Sequence, residues 1–174
     1  MNVIGIVGWK NSGKTTLASA LIRELSARGL TVNSIKHAHH GVDVDQPGTD
    51  SYQHRDAGAQ EVILAGGQRF AIMHELRGAE EPTMDDLLAR LGPCDWVVVE
   101  GFKAHHHPKI EVHRQDSPRA PLFLKDSSVV AVAADYAPDF NGPVFDLNDI
   151  AGIADFVLSR KDAPVTSTMR EAHE

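Results

Sequence analysis

The sequence predicts an α/β fold in which a mostly parallel sheet is flanked by helices. The run Asn2–Gly8 is apolar enough for a buried strand, and a segment with helical periodicity follows it at 14–28. Gly29 then supplies a helix stop, and a second strand-like run comes at 31–35. Strand, helix and strand in this order predict a right-handed crossover between two parallel strands.

The stretch 8–15, which joins the first strand to the first helix, has the form G-x-x-x-x-G-K-T. This is a phosphate-binding loop, so the predicted sheet is P-loop NTPase-like. Its glycines let backbone N–H groups face phosphate oxygens, and the helix N-terminus adds partial positive charge. Lys14 is expected to reach the β- and γ-phosphates, and the Thr15 hydroxyl to ligate Mg²⁺. The predicted nucleotide-binding residues of the loop are Gly8, Asn11, Ser12, Gly13, Lys14 and Thr15.

The composition fits one globular domain without a nucleic-acid or membrane partner. The 174 residues are 42% hydrophobic and 24% charged, with a net charge of -7. An acidic balance argues against nucleic-acid binding, because neutralising phosphates needs a basic face. No apolar run approaches the length of a membrane span, and residues 1–9 lack the features of an export signal. The single cysteine, Cys94, fits a reducing cytoplasm, where we expect the protein to reside.

The segment after the second strand is polar, lacks periodicity and begins beside the predicted phosphates. In a P-loop protein this position commonly carries a switch that γ-phosphate and Mg²⁺ contacts order. Lys36 is interpreted as a charge near the γ-phosphate, and Asp43 or Asp45 as a Mg²⁺ partner through water. The alternative is a solvated turn in which Asp50 caps a helix over 51–57.

A β-hairpin interrupts the alternation of strands and helices. Two strand-like runs at 61–65 and 69–74 are separated by Gly66, Gly67 and Gln68. A hairpin appended to a parallel sheet offers an edge, and an edge invites pairing with a second subunit. We therefore expect a homodimer formed through the hairpin, with an internally covered edge as the alternative.

Two later strand-like runs end in acidic residues at the ligand edge of the sheet. The run 95–101 is apolar up to Glu100, so it predicts a central buried strand that delivers this carboxylate to the phosphates. In a P-loop protein such an acid is the second Mg²⁺ partner or orients the attacking water. A carboxylate in this position needs a cation or a donor as partner. The run 126–135 ends in Asp135 at the same edge.

The other segments complete a single nucleotide-binding domain over 1–159. Residues 160–174 show no apolar pattern, so we expect a disordered tail. The remaining predicted elements are a helix at 83–91, a basic loop at 102–109, a strand at 110–113, a loop at 114–121, and a helix at 149–159 with Asn148 as its N-cap. In the basic loop, the three adjacent histidines are expected to be solvated and Lys103 to contact a phosphate or a partner.

Taken together, these motifs resemble the molybdopterin-guanine dinucleotide biosynthesis protein B family. The resemblance runs from residue 3 to about 159 and rests on the segments 8–15, 36–40, 43–51, 55–59, 99–103 and 146–148. It implies a GTP-binding homodimer with weak intrinsic GTPase activity. Such a protein is an adapter for the guanylyltransferase that joins GMP to molybdopterin, and possibly for other molybdenum cofactor enzymes.

The resemblance also assigns roles to individual residues. It adds Thr16 to the phosphate- and magnesium-binding group and implies a switch formed by Asp45, Asp50 and Ser51. Three residues are interpreted as catalytic, and three as metal-binding. The catalytic group is Lys14, Lys36 and Glu100, and the metal-binding group is Thr15, Asp45 and Glu100.

The preference for GTP rests on the resemblance, because the sequence contains no Asn-Lys-x-Asp element. Asp135 is the candidate acceptor for the guanine N1 and N2 donors, and a strand-end turn residue is the alternative. No glutamine is obviously placed to orient water, so slow hydrolysis is expected.

Two other functions stay open at this point. One is a phosphotransferase or ligase that holds a small acceptor with the basic loop 103–109. The other is a metallochaperone GTPase that binds nickel or zinc through the histidines His37, His39, His40, His105, His106 and His107. Against a metal site, the adjacent histidines of one loop diverge and do not ligate a single ion together.

Overall fold

A computed structural model describes residues 1–38 and 43–161 of the chain. The chain divides into two compact units, the first formed by Met1–His37 and the chain from Leu88 onward, the second by Ala38–Leu87. Within the described residues, no helix is long and apolar enough to cross a membrane. In chain order the elements are β1 (Asn2–Gly8), α1 (Lys14–Ala27), β2 (Val32–Lys36), α2 (Asp50–Asp56), β3 (Glu61–Ala65), β4 (Phe70–His74), α3 (Met84–Arg90), β5 (Trp96–Glu100), β6 (Lys109–His113), a 3-10 helix (Leu122–Leu124), β7 (Val129–Ala134), β8 (Val144–Asp146) and α4 (Ile150–Ser159).

The first unit is built on a six-stranded sheet with the strand order β2-β5-β1-β6-β7-β8. Every neighbouring pair in this sheet is parallel, and β1 lies between β5 and β6. The apolar stripe of α1 packs on one face together with α4, where Leu21, Leu25 and Ile153 are fully buried. Because β1 is central and α1 follows it, the P-loop is held between a buried strand and a helix that packs on the core.

The second unit contains α2 and the predicted hairpin. The antiparallel pairing of β3 with β4 runs from Glu61 opposite His74 to Ala65 opposite Phe70. The hairpin itself is confirmed, but the expectation that it extends the parallel sheet is wrong. It forms a separate two-stranded sheet, because none of the six parallel strands is among its pairing partners in the described residues.

Most predicted elements are confirmed, and the differences lie at their ends. Thr49 rather than Asp50 caps α2, since its hydroxyl accepts from the Tyr52 N–H at 3.3 Å. Asp149 rather than Asn148 caps α4, because its carboxylate reaches the Gly152 N–H at 3.0 Å. The strand predicted from 126 starts at 129, since Asp126 Oδ1 accepts from the Ser128 N–H in a turn.

Two short elements were not predicted from the sequence. These are β8, which has three residues, and the 3-10 helix, which also has three. Neither is long enough to show a period. Of the predicted tail, residues 162–174 lie outside the described residues, and the assignment of 1–159 to one nucleotide-binding domain stays a prediction.

Candidate functional site

The P-loop turns sharply between the end of β1 and the start of α1. Its backbone takes left-handed φ values at Asn11 (64°) and Gly13 (104°), which direct N–H groups toward the inside of the loop. Gly8 has a φ of 150°, and a Cβ there would overlap the Val112 carbonyl oxygen of β6. Gly13 caps α1 without a side-chain hydrogen bond, so the first N–H groups of this helix are available to an anion.

Lys14 lies across this loop. Its Nζ donates to the carbonyl oxygen of Trp9 at 2.7 Å, which closes the loop over its own backbone. Burial lowers the pKa of Lys14, the Glu100 carboxylate opposes that shift, and the Lys36 charge adds to it. Lys14 is thus a cation held beside the N–H groups, where the motif places the phosphates.

Three residues predicted from separate segments meet at the end of the central strands. The Thr15 hydroxyl donates to Glu100 Oε1 at 2.7 Å. Lys36 Nζ lies 3.5 Å from the same carboxylate oxygen and 3.4 Å from Thr15 Oγ1. The register explains the meeting, because Lys36 on β2 and Ile6 on β1 both lie opposite Glu100 on β5. A hydroxyl and a carboxylate oxygen at this distance are a donor set that suits Mg²⁺.

Asp45, the other predicted metal ligand, belongs to the second unit and is held by its own segment. Its Oδ1 accepts from the hydroxyls of Thr49 at 2.8 Å and Ser51 at 3.0 Å. Its Oδ2 accepts from Arg55 at 3.2 Å, and Arg55 also binds Asp43. The predicted switch segment is therefore a hydrogen-bonded cluster. His39 and His40 lie outside the described residues.

The loop that follows β5 is more buried than the sequence predicts. Lys109 is 1% exposed, and its Nζ donates to Asp126 at 2.8 Å and to Ser128 at 2.9 Å. The ring of His107 is also buried, and its Nδ1 lies 3.1 Å from the His105 carbonyl oxygen. The expectation of solvated histidines is wrong for His107, because its ring is buried, whereas His106 is exposed.

Sequence reasoning missed a group of side chains around Trp9 that join the P-loop to the loops beside it. The indole Nε1 donates to the Ala120 carbonyl oxygen at 2.9 Å. The cations of Lys103 and Arg119 lie 4.4 and 4.5 Å from the centre of the Trp9 ring. The sequence did carry a signal for this group. It has an aromatic residue inside the P-loop motif and basic residues in the loops that follow β5 and β6.

Arg114 was missed as well, although it directly follows β6 at the ligand edge. Its Nε donates to the Ser12 carbonyl oxygen at 3.2 Å, and its Nη1 lies 3.4 Å from Asp135 Oδ2. Asp135 Oδ1 accepts from the Gln115 N–H at 2.9 Å. The candidate acceptor for guanine is thus joined to the P-loop through one arginine.

Among the described histidines, His105 and His107 lie together, with 3.3 Å between their Nδ1 atoms, but they do not complete a metal site. Within residues 1–38 and 43–161, no group of three or more His, Cys, Asp or Glu residues is placed to hold a metal ion. His37 instead stacks on Phe102, with ring centres 4.4 Å apart.

A P-loop between a central parallel strand and a helix, with an acid at the end of the neighbouring strand, defines a P-loop NTPase-like fold. The chain belongs to the family described as MobB, molybdopterin guanine dinucleotide synthesis protein B, whose sequence profile matches residues 3–135. The resemblance noted from the motifs is confirmed.

Relatives and solved structures agree with this family. The chain is 41% identical over 159 residues to the molybdopterin-guanine dinucleotide biosynthesis adapter protein of Escherichia coli (strain K12), covering 90% of this chain and 91% of that protein. It is 44% identical over 158 residues to the protein of the same name from Haemophilus influenzae, covering 89% and 86%. The crystal structure of a MobB homolog from Bacillus stearothermophilus is 27% identical, with a TM-score of 0.68 over 92% of this chain and 100% of that one.

Proposed function

We propose that the protein is a cytoplasmic, GTP-binding adapter in molybdopterin guanine dinucleotide biosynthesis. The observation that carries the proposal is the meeting of Lys14, Thr15 and Glu100 beside the P-loop in a chain of this family. The relatives from Escherichia coli and Haemophilus influenzae are named adapter proteins of this biosynthesis. Its partner is the guanylyltransferase that joins GMP to molybdopterin.

In this proposal GTP binds with its phosphates in the P-loop. The loop N–H groups and Thr16 hold the phosphate oxygens, and Lys14 exchanges its contact with the Trp9 carbonyl for the β- and γ-phosphates. Lys36 adds a second positive charge. Its side chain is 60% exposed, so it is accessible to a ligand.

Thr15 and Glu100 are the residues that would hold Mg²⁺. Bound Mg²⁺ neutralises charge on the β- and γ-phosphates. The Thr15 hydroxyl donates a hydrogen bond to Glu100 at 2.7 Å and accepts one from Lys36 at 3.4 Å, so Mg²⁺ would take the place of the Lys36 contact. We expect intrinsic hydrolysis of GTP to be slow, because the sequence has no glutamine obviously placed to orient water.

We also propose that the protein is a homodimer formed through the hairpin. Ile63, Phe70 and Ile72 share one face of the hairpin by the pairing register, and they are 61%, 69% and 52% exposed. Three large apolar side chains on one exposed face are typical of a protein–protein interface. A second copy of the hairpin buries this face in a self-complementary way.

Calorimetric titration of the full chain with GTP and Mg²⁺ tests the nucleotide site. Lys14→Ala is expected to lower the affinity by at least about 10-fold, because a charged hydrogen bond to phosphate contributes roughly 1.5–3 kcal/mol. Lys10→Ala removes an exposed lysine of the same loop that the motif leaves variable, so it should bind as the parent does. Equal affinity for the parent and Lys14→Ala would refute the assignment.

The metal assignment has its own test in the same titration. Glu100→Gln keeps the size of the side chain but removes its charge, so the gain in GTP affinity on adding Mg²⁺ should fall. GTP binding measured in a chelator should stay close to that of the parent. A full Mg²⁺ gain in Glu100→Gln would exclude this residue from the metal site.

A further inference from the structure

A small cavity opens beside the P-loop on the side of α1. Its volume is about 180 Å³, and it shares Gly13 and Thr16 with the phosphate-binding segment. Small-molecule sites are commonly about 300–1,000 Å³, so this cavity takes only one part of a nucleotide. The residues that line it are Gly13, Thr16, Leu17, Ala20, Arg114, Leu147, Asn148 and Ile150.

The walls of the cavity combine apolar surface with two side chains that recognise polar edges. Leu17, Ala20 and Ile150 supply a surface suited to the flat faces of an aromatic ring. Arg114 and Asn148 supply hydrogen-bonding groups at its margin. An apolar slot with a few convergent polar groups is the usual composition of a site for a heterocyclic base.

Arg114 is fixed in place while part of its guanidinium stays unused. Its Nε binds the Ser12 carbonyl oxygen at 3.2 Å, and its Nη1 lies 3.4 Å from Asp135 Oδ2. Its Nη2 is the atom nearest to where a Cβ on Gly13 would lie, at a distance of 3.4 Å. Among the described residues Nη2 makes no hydrogen bond, so its donors are available next to the cavity.

Asn148 lines the cavity from the loop between β8 and α4. Its backbone is fully engaged, because its N–H donates to Asp146 at 2.8 Å and its carbonyl oxygen accepts from the Ile150 N–H at 2.8 Å. The side-chain amide makes no hydrogen bond to any other described residue. A rigid backbone therefore presents an amide that both donates and accepts.

We propose that this cavity is the base subsite of the nucleotide and that Arg114 and Asn148 select guanine. The inference rests on the proposed GTP function and names the residues that read the base. Arg114 can only donate, which matches the O6 and N7 acceptors of guanine and opposes the N6 amino group of adenine. The amide oxygen of Asn148 accepts from the N1 and N2 donors.

Asp135, the acceptor expected from the sequence, takes a positioning role in this proposal. Both of its oxygens already have partners, the Gln115 N–H and Arg114. Its carboxylate fixes the plane of the guanidinium, so it acts on the base through Arg114.

The test is a titration of the full chain with GTP, ATP and 7-deaza-GTP in Mg²⁺. For the parent, GTP should bind more tightly than both other nucleotides, because 7-deaza-GTP lacks the N7 acceptor. Arg114→Met should lower GTP affinity by roughly 5- to 100-fold more than it lowers ATP affinity, as expected for one bidentate base contact. The variant should no longer distinguish GTP from 7-deaza-GTP. Arg23→Met is the matched control, since Arg23 is exposed on α1 and does not line the cavity.

Three further variants keep the test independent of folding. Arg114→Lys retains the charge but not the fork, so it should lose the GTP preference; parent-like preference would overturn base reading by Arg114. Asn148→Leu should weaken GTP more than ATP, and equal losses would remove Asn148 from the base subsite. For Asp135→Ala, a positioning role predicts no added effect in the Arg114→Met background, and additive losses would instead show direct contact.

The outcomes separate this inference from the proposed function. If the parent binds GTP but Arg114→Met loses GTP and ATP affinity equally, Arg114 contacts the phosphates and the base assignment is overturned. An unchanged ratio of GTP to ATP affinity in every variant overturns it as well. If the parent binds neither GTP nor ATP, both the proposed function and the base assignment are overturned.

Discussion

β1 and β6 are neighbouring parallel strands, both buried along almost their whole length, yet their compositions differ. β1 contains only Val, Ile and Gly after its first residue. β6 alternates apolar Ile110 and Val112 with buried Lys109, Glu111 and His113. The first strand is a core element that carries the P-loop, whereas one face of the second is a row of buried polar groups. The difference shows how this fold fixes the surroundings of its phosphate site.

Each polar residue of β6 ties down a different stretch of the loops beside the P-loop. Lys109 binds the segment 126–128. Glu111 accepts from the N–H groups of Leu122 at 2.7 Å and Phe123 at 2.9 Å, and burial raises its pKa although these two bonds oppose the shift. Burying such groups is costly unless each has partners, so these contacts are specific requirements rather than additions.

The largest expected effect comes from breaking the Lys109 contacts. Lys109→Met keeps the length of the side chain but leaves Asp126 and Ser128 without their cation. We expect a loss of about 3 kcal/mol in the free energy of unfolding, the lower end for a broken buried pair, since Asp126 is 28% exposed. Urea denaturation measures it. Lys125→Met, at an exposed neighbouring position, should change stability by less than about 0.5 kcal/mol. Equal effects of the two changes would mean that the buried amine is not needed.

His107 should make stability depend on pH. Burial lowers its pKa from 6.5 to about 4, the Lys109 and His105 charges add to the shift, and Asp126 opposes it. Between these two pKa values, His107 is therefore protonated in the unfolded chain but neutral in the folded chain. The stabilisation is complete above pH 6.5 and is lost as pH falls through about 4, a difference of about 3 kcal/mol.

Denaturation curves of the parent and His107→Phe across this range isolate the effect of His107. The raised pKa of Glu111 changes stability with pH in the opposite direction, but it does so equally in both proteins and cancels in the comparison. His106→Phe, at an exposed site, should keep the slope of the parent. A parent-like slope in His107→Phe would contradict the buried neutral histidine.

The contact between the two strands gives an intermediate effect. A Cβ on Gly5 of β1 would overlap the His107 imidazole and lie 3.0 Å from Lys109 Cγ, so Gly5→Ala overpacks the polar face of β6. We expect a loss of about 2 kcal/mol in stability. Adding His107→Ala should recover part of the loss. The double variant should therefore be more stable than the sum of the two single losses predicts. Gly92→Ala, which meets nothing within 4 Å, is the control. Strict additivity would show that Gly5 is small for another reason.

The smallest effect concerns the far end of β6. His113 Nε2 lies 3.1 Å from the Arg119 carbonyl oxygen, which only accepts, so Nε2 carries the proton and Nδ1 accepts from the Tyr136 hydroxyl at 2.8 Å. Tyr136→Phe should cost about 1 kcal/mol by thermal denaturation. Tyr52→Phe, in the second unit, should be nearly neutral. Equal stability losses in Tyr136→Phe and Tyr52→Phe would show that the hydrogen bond to His113 does not stabilise the fold.

The same contrast explains what was predictable from the sequence. β1, the P-loop and α1 were predicted because a spaced motif lies between an apolar run and a segment with helical periodicity, and Glu100 was predicted because an acid ends an apolar run. The roles of Lys109 and His107 were not, since their partners at 126–128 and 105 are set by loop closure. The position of Arg114 and Asn148 in one cavity was not predicted for a related reason. Their shared cavity forms only when β6 and β8 are placed in the sheet, and β8 is too short to predict.

Capture of the guanylyltransferase tests the central claim most directly. The tagged full chain is incubated with that enzyme and Mg²⁺ in the presence of a non-hydrolysable GTP analogue, GDP or no nucleotide. The account predicts that capture is strongest with the analogue, that Lys14→Ala abolishes this gain, and that Lys10→Ala retains it. Equal capture in all three conditions, or an undiminished gain in Lys14→Ala, would contradict a nucleotide-dependent adapter.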